Sequence, residues 1–224
     1  MPNAKMAFKT QLQYGDAATP EKFKTVAEVK EIDPPELSHE QADVTSHDST
    51  AAEFLSLYGD EGEINIDCNF LNDATYTAVA AKVGGAASNW QVCFPNWGAR
   101  TKTFTADEST EIITAATHGL TTGQPVRVSS SGSPEDLPAP LVSGTTYFVI
   151  WVDAGTLQLA TTNALAIAGT AINITDAGTG THTIQIGNRL SFAANVRTRK
   201  LSAARKGELA VNFKAKITGP VTLT

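Results

Sequence analysis

Apolar and polar positions alternate strictly along residues 63–70, where Ile64, Ile66, Cys68 and Phe70 are interleaved with Glu63, Asn65, Asp67 and Asn69. That period of two predicts a strand with one dry and one wet face. The same rhythm returns late in the chain, with Leu190, Phe192, Ala194 and Val196 on one face, then Leu209, Val211, Phe213, Ala215 and Ile217, and "KLSAARKGE" supplying the turn between them. After "ND", the period changes: Tyr76, Val79, Ala80 and Val83 recur at helical spacing behind Asp73, a good N-cap, and Gly84-Gly85 stops the run. A short helix is predicted there. "FKTVAEVKEI" predicts a strand ending at Asp33-Pro34-Pro35, because proline cannot continue a ladder, and "WQVCFP" predicts another. Between these strands, residues 38–59 carry no sustained period. They predict a long polar excursion with one helical turn over residues 51–57, and loops of this length are usually functional or ordered by a partner.

The strand "WQVCFP" runs into Asn96-Trp97-Gly98, a hairpin tip whose return strand does not follow. Instead, residues 105–187 change style. They are rich in Thr, Ala and Gly, with short apolar runs, "IITAA", "PVRVSS", "YFVIWV", "LQLAT", "AINIT" and "HTIQI", separated by turn signals. Such spacing predicts a small all-β module. The simplest return strand is then "RLSFAANV". The chain therefore divides into a discontinuous domain, 1–104 and 188–224, and an inserted domain, 105–187. Insertion at a hairpin tip is cheap, since loop-closure entropy grows only logarithmically with length.

The 224 residues, 42% of them hydrophobic, suit a folded chain of one large or two modest domains. No apolar run approaches a membrane span, and Lys5 and Lys9 break the apolar character of the N-terminus, which argues against a signal peptide. The net charge of −6 is unevenly placed: residues 104–187 hold seven acids against the single base Arg127, so the remainder of the chain is neutral. That remainder is itself polarised, with fifteen acids against three lysines over residues 16–73 and eight bases against Glu208 over residues 189–216. Such asymmetry suggests that one end meets the other, within a subunit or between copies.

Catalytic and metal chemistry find little footing. Ser46, His47 and Asp48 are neighbours in one extended segment, whereas a triad is assembled from separated positions. The four histidines share no i, i+4 pair and no nearby cysteine, which disfavours zinc. The "AGTGT" glycines precede a β run rather than a phosphate-binding helix. Cys68 and Cys93 have no CxxC spacing and are read as small core residues. The basic run Arg197, Arg199, Lys200, Arg205, Lys206 lacks interleaved aromatics for base stacking. No catalytic residue, metal or cofactor is expected, and the protein is read as a non-enzyme.

The ordered set "AEVKEIDPPELSHEQADVTSHDS", "GEINIDCNF", a helix after "ND", "WQVCFPNWG" and "RLSFAANVRTRKLSAARKGELAVNFKAKITGPVTL" resembles the tail tube, or major tail, proteins of long flexible-tailed, lambda-like bacteriophages. The resemblance covers about residues 23–104 and 188–221. Trp97 interrupts the family's "FPNG"-like tip, and residues 105–187 depart from it altogether. The resemblance implies a mainly β fold: a tail-tube β-sandwich with one flanking short helix, plus a small all-β domain inserted in a hairpin. It implies a structural virion protein that stacks hexameric rings into a hollow tube, conducts DNA and encloses the tape-measure protein. Other implied partners are tail terminator and tail tip proteins and DNA that passes without specific binding. The implied location is the virion tail, assembled in the host cytoplasm. On this reading Glu63, Asn65, Asp67 and Asn69 are the lumen-facing candidates. Glu40, Asp43, Thr45 and Asp48 in the long loop, with Arg199, Lys200, Arg205 and Lys206, are the inter-ring or inter-subunit candidates. The inserted domain is expected to project outward, as decoration or to bind host surface glycans, and its deletion to leave tubes that assemble. The competing reading is a tail tip or fibre adhesin built from both β domains.

Overall fold

The computed structural model describes residues 9–33, 38–70, 74–203 and 209–224. The chain is mainly β, with two short helices. In order it forms β1 (Gln11–Gly15), β2 (Phe23–Thr25), β3 (Val29–Asp33), β4 (Ser38–Asp43), β5 (Phe54–Asp60), β6 (Glu63–Asn69), α1 (Ala74–Ala80), β7 (Ser88–Cys93) and β8 (Arg100–Ala106). There follow β9 (Ile113–Thr114), β10 (Pro125–Asp136), β11 (Thr146–Trp151), β12 (Thr156–Ala160), α2 (Asn163–Ala168), β13 (Thr179–Ile186), β14 (Arg189–Ala203), β15 (Leu209–Ile217) and β16 (Thr222–Leu223). Two compact units emerge, one of residues 1–26, 88–191 and 222–224, the other of residues 27–87 and 192–221.

In the second unit the antiparallel order is β14-β15-β6-β3. Period-two patterning decides its faces. Ile64, Ile66 and Cys68 of β6 are buried beside Val211, Phe213, Ala215 and Ile217 of β15. Helix α1 covers this dry face: Val79 is buried, and the Tyr76 ring lies 4.6 Å from Phe70 and 6.2 Å from Phe213, centroid to centroid. Gly84, at φ 74, closes the turns after α1 and donates its N–H to Val196 O. Asp73, the expected N-cap, lies outside the described residues.

In the first unit, β1 pairs with β2 on one side and β7 on the other. Strands β10-β11-β12-β9-β8-β13 close into a six-stranded barrel. Its core packs Phe104, Val126, Val128, Val149, Leu157, Leu159 and Ile184. The barrel begins at Arg100, upstream of residue 105, because Arg100 to Phe104 pair with Ile186 to His182 of β13. The hairpin tip is stitched at its base: the Phe94 N–H donates to Asn188 O (2.9 Å), and Asn96 Oδ1 accepts from the Asn188 N–H (2.7 Å).

Four local expectations change. The strand read over residues 23–32 is two strands, because Glu28 takes φ 53 and breaks the ladder between β2 and β3. The helical turn read at residues 51–57 is instead strand β5, which forms a hairpin with β4 through pairs such as Asp43↔Phe54 and Ala42↔Leu55. "AINIT" is not a strand; it hangs on single backbone bonds, Ile172 N–H to Leu159 O and Thr175 N–H to Ala139 O, with Ile174 in the barrel core. Ahead of it stands α2, capped by Thr162 Oγ1 accepting the Leu165 N–H (3.2 Å) and ended by Gly169 in the left-handed region.

Candidate assembly surface

The wet face of the β14-β15-β6-β3 sheet is built from rows of side chains. Residues opposite one another on antiparallel strands share a face, so the pairings Glu63↔Lys216, Asn65↔Lys214, Asp67↔Asn212 and Asn69↔Ala210 align β6 with β15. The rows extend to β14 through Lys216↔Asn195, Lys214↔Thr198, Asn212↔Lys200 and Ala210↔Ser202. They extend to β3 through Asp67↔Glu31 and Asn65↔Asp33. All four lumen-facing candidates therefore stand on one polar face, and acids on that face outnumber Lys200, Lys214 and Lys216. Asn212 Nδ2 donates to both Asn65 Oδ1 (2.6 Å) and Asp67 Oδ1 (2.7 Å), which ties β15 to β6 at the centre of the face. Asn69 Nδ2 donates to Glu28 Oε2 (3.1 Å) at the rim.

The basic candidates part company. A bulge at Arg197 shifts the register of β14, so Lys200 lies on the polar face beside Asn212, whereas Arg199 lies opposite Phe213 on the other. The Arg199 Cζ sits 6.0 Å from the centroid of the Tyr76 ring, over the helix side of the sheet. Period two alone predicts this separation for adjacent residues. Arg205 and Lys206 lie outside the described residues.

Among the described residues β3 ends the sheet, paired with β6, whereas β14 is not an edge strand: β7 as well as β15 is hydrogen-bonded to it, and its residues 198–203 pair with β15. Strand β3 carries Lys30, Glu31 and Asp33, and residues 197–203 of β14 carry Arg197, Arg199 and Lys200.

The acidic candidates divide between framework and surface. Asp43 Oδ1 accepts the Thr45 N–H (2.9 Å), and Thr45 Oγ1 accepts the Glu53 N–H (2.9 Å), so both residues shape the tip of the β4-β5 hairpin. The Thr45 hydroxyl, with its N–H, holds the Asp43 carboxyl below the ordinary carboxylate range. Asp48 is exposed at the same tip. Glu40 lies on β4, its side chain outside the described part. Around this tip Val44, Phe54 and Leu55 are 50%, 59% and 57% exposed, an apolar group where the sequence suggests only a polar loop. The alternating "FLSLY" run was the available signal, but its strand partner begins eleven residues upstream, at Asp43↔Phe54, and cannot be read locally.

No family model matches the chain, and no curated protein matches it. Among solved structures, the chain is similar to one in "Virion of native gene transfer agent (GTA) particle" at a TM-score of 0.46, with 11% identity over 99% of both chains. It is similar to one in "Tail of empty GTA particle computed with helical refinement, C6 symmetry" at 0.48, again with 11% identity over 99% of both. A third likeness, in "Cryo-EM structure of the anti-feeding prophage (AFP) baseplate, 6-fold symmetrised", has a TM-score of 0.42 and 6% identity over 100% of this chain and 97% of that one. Likenesses of this size carry no function to the present chain.

The histidine and cysteine candidates find no catalytic setting. His118 is buried; its Nδ1 accepts the Leu120 N–H (3.0 Å), which leaves Nε2 to donate to Asp153 O (2.9 Å). Both cysteines are free and buried, and burial pushes the Cys68 thiol up to about 11 and the Cys93 thiol up to about 12, far from thiolate chemistry.

Proposed function

We propose that the chain is a structural subunit of a virion tail, polymerising as stacked hexameric rings into a hollow tube that conducts DNA and encloses the tape-measure protein. The observation that carries this reading is the β14-β15-β6-β3 sheet, dry under α1 and polar on its other face, with an edge strand β3 that bears Glu31 and Asp33 and a basic stretch, residues 197–203, on β14. An exposed strand margin is a template for pairing with another chain. When the two contacting stretches differ, the contact is head-to-tail, and a head-to-tail contact with the right rotation closes into a ring. Lys200 and Arg197 of one copy beside Glu31 and Asp33 of the next would then join neighbouring copies around the tube.

Ring closure of this kind turns the polar face toward a channel. Glu63, Asn65, Asp67 and Asn69 would line it, and an acid-rich wall suits passage of phosphates without adsorption. The β4-β5 hairpin, with exposed Val44, Phe54 and Leu55 beside Asp48, would serve as the contact with a neighbouring subunit or the next ring. The domain division proposed is a tube domain of 1–104 and 188–224 with an inserted domain of 105–187 on the outer wall. Terminator, tip and tape-measure proteins are the remaining partners, and the site of action is the virion tail.

Negative-stain microscopy of the purified chain tests the reading. Rings or tubes of uniform width are expected; dispersed monomers or trimers would favour the adhesin. Reversal of both acids, Glu31→Lys with Asp33→Lys, is expected to abolish the rings. Adding Arg197→Glu with Lys200→Glu in the same chain is expected to restore them, and failure of the second pair to restore assembly would remove the charge-matched contact from the account.

A further inference from the structure

The β4-β5 hairpin stands as a two-stranded sheet of its own. A lone hairpin is marginally stable in water at best and gains most when an apolar face is covered. The register sorts its side chains: Ala42 lies opposite Leu55 and Asp43 opposite Phe54, and the Val44 N–H bond to Glu53 O carries the ladder one step further. Residues opposite one another on antiparallel strands share a face, so Val44, Glu53 and Leu55 stand together on one face and Phe54 on the other. Val44 and Leu55 are both largely exposed there. The segment is also acidic: residues 41–55 hold Asp43, Asp48 and Glu53 and no lysine or arginine.

A surface of opposite make-up lies at the far end of β14 and β15. Beyond the bulge, Arg199, Leu201 and Ala203 share a face with Phe213, Val211 and Leu209, their cross-strand partners. This is the face that α1 covers, but the cover runs out toward β14: Val211 and Phe213 are buried, whereas Leu201 and Leu209 are 47% and 44% exposed. Arg199 borders the leucines, with its guanidinium over the Tyr76 ring and no ion pair among the described residues. The hairpin and this strand end belong to one unit, and within it each keeps its apolar group in water. Each carries what the other lacks, two exposed apolar side chains beside a charge of opposite sign.

We propose that the Val44, Glu53 and Leu55 face of the hairpin docks onto Leu201, Leu209 and Arg199 of a second copy of this chain, with the Glu53 carboxylate beside the Arg199 guanidinium. The two surfaces differ, so the contact is head-to-tail and leaves each copy one surface of each kind for further copies. It rests on the reading of the chain as a self-assembling subunit, and names the surface that the hairpin meets.

Two variants of the full chain, Ala42→Cys and Ala203→Cys, keep every docking side chain; mixed and treated with a short bismaleimide, they test the proposal. Cys68 and Cys93 are buried and do not compete. Mass spectrometry is expected to find the 42–203 link at least about tenfold above the link between Ala42→Cys and Val142→Cys, an exposed position on the first unit, because docking raises the effective concentration of the two thiols. Glu53→Arg in the first variant is expected to lower the 42–203 link about three- to tenfold, and Arg199→Glu in the second to restore it. Near-ultraviolet circular dichroism confirms that each variant is folded. The proposal is overturned if the 42–203 link does not exceed the control, if Glu53→Arg leaves it unchanged, or if the reversed pair fails to restore it. Rings without the link leave the tube reading standing and remove this contact; the link without rings keeps the contact as a pairing of copies and removes the tube.

Discussion

Asp43 shows how a residue that reads as surface charge becomes framework. Its carboxylate is spent on Thr45, and Thr45 in turn on Glu53, so the tip of the β4-β5 hairpin is closed by side chains as well as by the Val44 N–H bond to Glu53 O (2.9 Å). The Asp43 pKa is depressed in the folded chain, so its contribution is fully present above the ordinary value of 3.8 and is lost as pH falls through the depressed value. Amide exchange at Thr45, followed by NMR from about pH 5 to about pH 3, is expected to accelerate beyond its intrinsic pH dependence. A Thr45 amide that keeps its protection at the acid end would show that the tip is held by β4-β5 pairing alone. Asp43 and Thr45 were both legible as candidates from the sequence. Their mutual bond is local, a side-chain oxygen accepting the N–H two residues on; the Thr45 bond to Glu53 was not legible, because it depends on the pairing of β4 with β5.

Among the elements, the junction of β1, β2 and β7 with the barrel is the least expected. Gln13 is fully buried on β1, although alternation with Leu12 and Tyr14 would place it on a wet face. Its Nε2 donates to Gly123 O (2.7 Å) and Thr25 Oγ1 (3.1 Å), and its Oε1 accepts from the buried Gln91 Nε2 (2.6 Å). Asn163, at the start of α2, donates to Phe23 O and Gly123 O (both 2.9 Å) while its Oδ1 accepts the Thr25 N–H (3.0 Å). Gly123 must be glycine: at φ 92 an added Cβ would overlap Phe23 O. A buried network of this kind is favourable only while complete. Gln13→Leu, which strands the Gln91 amide, is expected to destabilise the chain by about 1–3 kcal/mol in urea denaturation, and Gln13→Leu with Gln91→Leu to recover most of that loss. Strict additivity of the two substitutions would mean that the glutamines do not act as a pair. The strands themselves were readable from their periods; this junction was not, since Gln13 and Gly123 are separated by 110 positions.

For the whole molecule, that junction alters what removal of the insertion should do. A cut at residues 105 and 187 leaves residues 100–104 without β13, whereas removing residues 99–186 keeps Asn96, Gly187 and Asn188 and hence the bonds at the hairpin base. The shortened chain is expected to fold with a lower Tm, because Gln13 and Thr25 lose Gly123 and Asn163, and to regain part of that loss when Gln13 and Gln91 are both leucine. An unchanged Tm would show that the junction contributes nothing to stability. Ring formation by the shortened chain, seen in negative stain, is the matching test of an insertion on the outer wall. From the sequence alone came the mainly β class, the two-faced strands Glu63–Asn69 and Leu209–Ile217, the short helix, and the change of style near residue 105, because each is written in the local period or composition. Tertiary structure alone decided which strands are neighbours, the bulge at Arg197 that sets the register of β14, the β4-β5 hairpin, and the polar junction at Gln13. Those features rest on partners far apart in the chain, and a local pattern records that a residue is wet or dry without recording what it meets.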